Sequence, residues 1–412
     1  MIDQTILFLY NALFFIAPLI MAKSTSELFE FNKILFIYVT TILISFLWFL
    51  KMIINKKIIL KKTPLDIPIL IFLSSQLIST ATSIDVHTSI FGYYGRFNGG
   101  LLSIICYILL YYGFVSNIVD VRKILKTITI SSLFVILWAI PGHFGHDLTC
   151  LLFTGQYNNS CWDNTTLAFR PELRAFSTLG QPNWLGAYLA AAFFIGVYFL
   201  ISQNSKFKIQ NLKSKIKSLF WAVYLFLNFS MILMSRSRSA IGAVIVGLIL
   251  FVGYYLFFIK TNFKKILIIL LLATLFPIIL FKTGEDKIDK FLTLSTYKNF
   301  FIKKLIVLPP TPYSLQPTTS LNVTESFDIR RIVWEGAWKL ALKYPLFGTG
   351  VETFAYSYNL VRPVTHNLTS EWDYVYNKAH NEYLNYLATT GFIGLSSYIL
   401  LIFGFLFYSF KI

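Results

Sequence analysis

The chain has 412 residues, of which 56% are hydrophobic and 13% are charged, and its mean hydropathy is +0.64. A water-soluble globular domain carries about a quarter charged residues, so this composition excludes an ordinary soluble protein. The net charge of +17 does not indicate nucleic-acid binding, because the lysines are spread over loops between apolar segments.

Ten apolar segments follow one another along the chain. Each is close to the roughly 20 residues that an α-helix needs to cross a bilayer. The apolar runs are continuous rather than alternating, which predicts helices and not the strands of a membrane barrel. The predicted spans are residues 5–21, 31–54, 64–83, 99–116, 122–141, 183–202, 218–235, 239–259, 263–281 and 392–410. The predicted fold class is an all-α, polytopic membrane protein with one long extracytoplasmic loop before its last helix.

The lysines predict the orientation of these spans. Basic residues cluster after the second, fourth, sixth and eighth spans, that is, in every second loop. Because short cytoplasmic loops accumulate Lys and Arg, both termini are predicted to be cytoplasmic. The outward segments are then 84–98, 142–182, 235–238 and 282–391. This topology divides the chain into a nine-helix membrane block at 1–281, a long extracytoplasmic loop at 282–391 and a final helix at 392–412.

The long loop has three predicted parts. Residues 286–308 mix Lys with Phe, Leu and Ile, as an amphipathic stretch on a membrane surface does. Residues 309–320 contain four prolines and are predicted to be an irregular linker. A helix is predicted from Asp328, as N-cap, to Tyr344, where Pro345 and two nearby glycines end it.

Cysteines and histidines of the outward segment 142–182 leave two questions open. Cys150 and Cys161 share this segment, where an oxidising compartment would permit a disulfide, and the sequence does not decide whether they pair. His143, His146 and Asp147 could be read as a metal cluster, but flexible loops often carry such residues. No metal site and no cofactor is predicted.

Arginine shows the reverse of the lysine bias. Eight of the nine arginines fall on predicted outward segments, and only Arg122 is predicted to be cytoplasmic. Arginine forks bidentately onto phosphate, so an outward cluster suggests an anionic lipid head or a phosphate-bearing substrate. The alternative is that single arginines snorkel or pair with outer carboxylates. Arg236 and Arg238 lie in a very short link between two apolar spans, where a guanidinium is costly without a partner, which favours a functional role for Arg238.

His380 lies where the long loop returns to the bilayer. A neutral imidazole there could accept a proton from an attacking hydroxyl, and the unperturbed pKa of histidine suits that task. The alternative is a structural histidine that is hydrogen-bonded at the interface. The sequence contains no phosphate-binding glycine loop, nucleophile elbow or zinc-protease motif, and its outer loops lack Asp-rich pairs that would hold Mg²⁺.

Four stretches resemble the O-antigen ligase and polymerase superfamily of bacterial membrane glycosyltransferases. They lie in order between residues 94 and 394: Tyr94-Gly95-Arg96 with Asn98-Gly99; Gly180-Gln181-Pro182-Asn183; Ser237-Arg238-Ser239-Ala240; and a block from Arg330 and Trp334 through Gly348 and Gly350 to His380-Asn381 and Gly391.

The resemblance implies transfer of a glycan from an undecaprenyl-pyrophosphate carrier to an acceptor hydroxyl, without a metal, on the outer face of the cytoplasmic membrane. It implies that His380 is the base and that Arg238 and Arg330 hold the pyrophosphate. The residues that it makes candidates for substrate binding are Arg96, Arg174, Asn183, Arg236, Arg331 and Asn381. Members usually continue through one or two more helices, so either the chain is truncated or a terminal packing element is missing after Ile412.

Two other functions remain open on the sequence. Ten spans would also suit a secondary transporter of an anionic solute, although charge here is confined to the ends of the spans. A non-catalytic scaffold that binds partners through the long loop would leave His380 without a role. The predicted partners of the enzyme are a lipid-linked glycan donor, an acceptor that is a glycan, lipid or protein, and membrane lipids.

Overall fold

The computed structural model describes residues 1–25, 27–162, 170–204, 212–254, 257, 264–281, 289 and 326–411. Throughout these ranges the ordered elements are helices, as predicted. We label them α1 Ile2–Ile16, α2 Glu30–Ile54, α3 Asp66–Ala81, α4 Val86–Phe91, α5 Leu101–Asn117, α6 Val121–His143, α7 Leu148–Thr154, α8 Pro182–Asn204, α9 Leu212–Met234, α10 Arg238–Tyr254, α11 Lys264–Phe281, α12 Ser326–Lys343, α13 Phe354–Ser357 and α14 Glu382–Lys411.

Every predicted span falls on one of these helices. Five are long and apolar enough to cross a membrane: Glu30–Ile54, Val121–His143, Pro182–Ser202, Lys215–Met234 and Glu382–Phe410. The other five predicted spans coincide with apolar helices of 15 to 18 residues, α1, α3, α5, α10 and α11. The described part of the chain is therefore all-helical with five candidate membrane spans, while the number of ten spans and the loop arrangement stay predictions.

The helices form two compact units. The first contains the start of α1, α2 to α5 and the elements from α12 onward; the second contains the rest of α1 and α6 to α11. The predicted division into a membrane block, a long loop and a last helix describes membrane topology, and it stays a prediction.

In the first unit, small hydroxyl side chains join α3 to the end of the chain. Ser75 and Ser397 share a hydrogen bond of 2.8 Å, and Ser79 donates to the Phe347 carbonyl at 2.8 Å. Small residues let helices approach closely in a membrane, where packing and hydrogen bonds replace the hydrophobic effect as the force between them. The segment after α12 is thereby held against α3 and α14.

A break at Gly391 divides α14. Its φ is +68°, and a β-carbon at this position would lie 2.4 Å from the Leu346 carbonyl oxygen. The break lets Phe392 N–H donate to the Pro345 carbonyl at 2.8 Å. Only glycine tolerates both this backbone conformation and this close approach.

The second unit is built around an aromatic core. Phe199 and Trp221 stack with ring centroids 4.7 Å apart, and the buried Tyr224 hydroxyl shares a hydrogen bond of 2.7 Å with Ser132. Cys150 and Cys161 are joined by a disulfide, which answers the question that the sequence left open. Asp147 accepts hydrogen bonds from Thr149 N–H and the Trp162 indole, so this carboxylate caps α7.

The predicted helix of the long loop is present as α12. It begins at Ser326, so the prediction of Asp328 as N-cap was wrong, and Asp328 lies in the first turn, where a carboxylate favours the helix dipole. One face of α12 is apolar and buried, through Ile329, Val333 and Leu340. The amphipathic stretch at 286–308 and the linker at 309–320 fall on segments of which the structure describes only residue 289.

Candidate active site

The sequence-predicted site residues divide between the two units. Those of the first unit are His380, Arg330, Arg331, Arg96 and Asn381, and those of the second are Arg174, Asn183, Arg236 and Arg238.

His380 is held in an unusual backbone conformation at the end of the loop. Its φ is +53°, in the left-handed region that costs a non-glycine residue about 1–3 kcal/mol. Both sides of the preceding residue are fixed, because Ala379 N–H donates to the Asn385 side chain at 3.2 Å and the Trp334 indole donates to the Ala379 carbonyl at 3.0 Å. The side chain itself stays exposed, with Tyr376 packed edge-on at 5.5 Å between ring centroids. Strain that the surroundings hold in place is typical of functional sites.

Positive charge surrounds the imidazole. Partial desolvation and the charge of Arg330 lower the pKa of His380, and Arg96 and Lys378 act in the same direction, while Glu371 opposes them. Histidine therefore remains neutral at lower pH here than in water. An exposed, neutral imidazole next to guanidinium groups can accept a proton beside a bound anion.

Arg330 is exposed on α12, one turn before Trp334. The same helix therefore carries a cation that acts on the His380 ring and the indole that fixes the backbone of Ala379. Arg331, its neighbour, is also exposed but is not among the groups that shift the pKa of His380. The electrostatics thus favour Arg330 over Arg331.

Asn381 has a structural contact. Its side-chain oxygen accepts a hydrogen bond from Leu384 N–H at 3.2 Å, which makes it the N-cap of α14. The cap starts the helix directly after His380. Substrate binding by Asn381 stays a prediction.

The loop at residues 94–99 carries Arg96, a second arginine whose charge acts on His380. Glu30 of α2 holds the loop, since its carboxylate lies 3.5 Å from the Arg96 guanidinium and accepts from the Asn98 amide at 2.9 Å. Between these residues Phe97 has a φ of +54°, and its carbonyl accepts from the Tyr38 hydroxyl at 2.7 Å.

An ion pair with a buried carboxylate and a partly exposed lysine lies next to this loop, and the sequence did not reveal it. Glu352, whose φ is +58°, lies 3.2 Å from the Lys378 ammonium, and a β-carbon on Gly99 would lie 2.4 Å from its carboxylate. Burial raises the pKa of Glu352 above its ordinary value, although Lys378 opposes this. In the sequence, Glu352 closely follows the glycines Gly348 and Gly350, and this acidic residue is the signal that could have found the pair.

In the second unit, the arginines cluster at the link between α9 and α10. Arg236 and Arg238 are exposed, while Ser235 and Ser237 between and beside them are fully buried. Arg236 has a φ of +50°. Ala175 N–H donates to the Met234 carbonyl at 3.0 Å, so the segment that carries Arg174 is attached at the end of α9. Three predicted cations thus come from two neighbouring segments.

Asn183 is exposed in the first turn of α8, directly after Pro182. Proline suits the first helical position because its missing N–H would be unpaired there. The positive end of the helix dipole at the first turn favours anions. The position agrees with a binding role for Asn183, which stays a prediction.

Residues 222–399 match the family model described as O-antigen ligase. This part of the chain is therefore similar to the O-antigen ligase superfamily, which supports the resemblance found in the sequence. The matched segment runs from α9 into α14 and includes His380, Arg238 and Arg330, whereas Arg96 and Arg174 lie before it. No curated protein matches the chain. The similarity to this family and the apolar helices agree with a glycosyltransferase-type enzyme of the bacterial inner membrane.

Proposed function

We propose that the protein transfers a glycan from an undecaprenyl-pyrophosphate-linked donor to an acceptor hydroxyl on the outer face of the cytoplasmic membrane. The acceptor oxygen forms a bond to the anomeric carbon of the donor sugar, and the bond from that carbon to the pyrophosphate oxygen breaks. The acceptor proton passes to the His380 ring. The electron pair of the broken bond leaves with the carrier pyrophosphate.

The observation that carries this proposal is the setting of His380. The ring is exposed, its pKa is lowered, and its backbone is fixed by Trp334 and Asn385. A general base must be unprotonated at the working pH and held in one place, and such a base contributes about 10²–10⁴-fold to a rate.

We assign the arginines to the donor. Arg330 and Arg238 would bind the pyrophosphate and stabilise the charge that develops as the carrier leaves. Arg96, Arg174, Arg236, Arg331 and Asn183 are second-rank candidates for the same donor. Protein cations would then take the role that a divalent metal plays in many pyrophosphate sites, so transfer is expected to be metal-independent.

The test is glycan transfer from a lipid-pyrophosphate donor by the detergent-solubilised protein. His380→Ala and, separately, Arg238→Ala should each reduce transfer at least about 100-fold. His87→Ala and Arg122→Ala, which change the same residue types outside the proposed site, should transfer like wild type. Transfer at the wild-type rate in both site variants would refute the assignment. Retained transfer in EDTA would support metal independence, and loss that Mg²⁺ restores would refute it.

A further inference from the structure

A cavity of about 850 Å³ lies in the first unit between α3, α5 and α14. This size falls in the range of roughly 300–1,000 Å³ that small-molecule sites occupy. Most of its wall is apolar and comes from helices predicted to span the membrane, through Ile69, Phe72, Ile104, Ile108, Leu401 and Phe405. Phe405 is 57% exposed on α14, so the apolar part of the cavity borders the surface that would meet lipid. A hydrocarbon chain could therefore reach the cavity from the bilayer.

The polar end of the cavity has an unusual charge composition. Its charged groups are Glu352, Glu382 and Lys378, and two amides, Asn98 and Asn385, accompany them. None of the described side chains lining it is an arginine. Two carboxylates against one ammonium disfavour a phosphate, whereas carboxylate and amide oxygens accept hydrogen bonds from hydroxyls.

Gln76 is a second, independent observation that points to a ligand. It lines the cavity from α3, its side chain is fully buried, and its Oε1 has no hydrogen-bond partner among the described residues. Its Nε2 donates to Ser75 at 3.1 Å, so the amide is already oriented. A buried carbonyl oxygen without a donor is uncommon, and a ligand hydroxyl in the cavity would supply one.

We propose that this cavity binds the acceptor of the reaction, and that the acceptor is a neutral glycolipid. Its hydroxyl-bearing sugar donates to Gln76 Oε1 and Glu352, and its hydrocarbon chain lies along the apolar wall. The assignment rests on the proposed function and extends it. In it, arginines bind the donor, whereas carboxylates and amides bind the acceptor. Lys378 lines the cavity and its charge acts on His380, so the polar end lies within electrostatic reach of the base.

The experiment uses the full chain in nanodiscs and two photoactivatable lipids with the same diazirine-bearing acyl chains. One is a monoglycosyl diacylglycerol, and the other carries a phosphomonoester in place of the sugar. We expect the glycosyl probe to label peptides of α3, α5 and α14 and the phosphate probe to label them at least several-fold less. Labelling by the phosphate probe as strong as by the glycosyl probe would overturn the proposal.

Two variants test the contacts. Gln76→Leu should reduce glycosyl-probe labelling about three- to tenfold, the effect of one lost hydrogen bond, without lowering Tm. Thr40→Val, an equally buried polar-to-apolar change on α2 outside the cavity lining, should label like wild type.

Glu352→Gln removes a negative charge and should raise phosphate-probe labelling relative to the glycosyl probe. If Gln76→Leu fails to fold, this shift in selectivity between the two probes tests whether the cavity binds a glycolipid. Wild-type labelling by a folded Gln76→Leu, or unchanged selectivity in Glu352→Gln, would refute the site.

Different results would refute the proposed glycan transfer and the proposed acceptor site. Glycan transfer that requires His380 but leaves the cavity unlabelled would refute the acceptor site and keep the proposed function. Selective, Gln76-dependent labelling in a protein that transfers no glycan would keep a glycolipid site and refute the reaction.

Discussion

His380 shows how neighbouring residues change the chemistry of one side chain. Histidine in water has a pKa of about 6.5, and at that value part of the imidazole is protonated near neutral pH. Partial desolvation and Arg330 lower the pKa of His380, so the neutral form, which can act as a base, is favoured. The charge that would hold the donor thus also prepares the base.

This coupling predicts a pH effect. A base works only when unprotonated, so kcat/KM for transfer should fall as the pH drops through the pKa of His380, with an acidic limb below about 6.5. Arg330→Gln removes a charge that lowers this pKa, and the limb should move to higher pH. Arg331→Gln, one residue away and not among the groups acting on His380, should leave the limb in place. The pH profiles of the three proteins measure this.

An acidic limb at the same pH in wild type and Arg330→Gln would contradict the electrostatic link. It would leave Arg330 with a role in binding only.

At the scale of elements, α12 holds the backbone next to His380 in place. Its buried face packs into the first unit through Ile329, Val333 and Leu340, and its Trp334 reaches the carbonyl of Ala379. The start of α14 supplies Asn385 to the N–H of the same residue. Two helices thereby hold the strained conformation at His380.

Trp334→Phe tests the support. The change keeps an aromatic ring but leaves the Ala379 carbonyl without its donor, which should cost about 1 kcal/mol of stability. Because a small misplacement of a catalytic group can cost up to about 100-fold in rate, we expect kcat to fall about tenfold. Trp338→Phe, on the same helix at a half-exposed position, should change neither Tm nor kcat appreciably. Equal kcat in the two variants would show that the indole bond does not position His380.

The break in α14 is another element-scale feature with a local cause. Gly391 allows the segment after α12 to hydrogen-bond to the second half of the helix, and Ser79 of α3 reaches the carbonyls of Phe347 and Thr389 from the other side. The motif glycine of the sequence is thus explained by close packing, and it needs no contact with substrate.

At the scale of the whole molecule, the lysines predict the orientation of the chain in the membrane. The lysine pattern places the loop after α2 in the cytoplasm and the loop at residues 94–99 outside. The described cysteines give little background for labelling, since Cys106 is buried and Cys150 is bonded to Cys161.

Single cysteines at two exposed positions measure the orientation. A membrane-impermeant maleimide should label Tyr94→Cys in intact cells, because Tyr94 is 81% exposed in the predicted outer loop. It should label Lys57→Cys only after the membrane is opened. The reverse pattern would place His380 on the cytoplasmic side, where a periplasmic glycan transfer cannot take place.

The sequence alone determined the all-helical fold, the positions of the apolar helices and the resemblance to the O-antigen ligase superfamily, because long apolar runs and spaced motifs are local properties of the chain. It also made His380 a candidate base from its place at the end of the long loop, and the resemblance made Arg330 a candidate for the donor. Only the tertiary structure decided the rest. Trp334 and Asn385 both hydrogen-bond to the backbone of Ala379, and Glu352 pairs with Lys378 next to Gly99. The burial of Gln76 Oε1 without a partner likewise depends on how the helices pack. These features depend on residues that are far apart in the chain, and no local pattern encodes them.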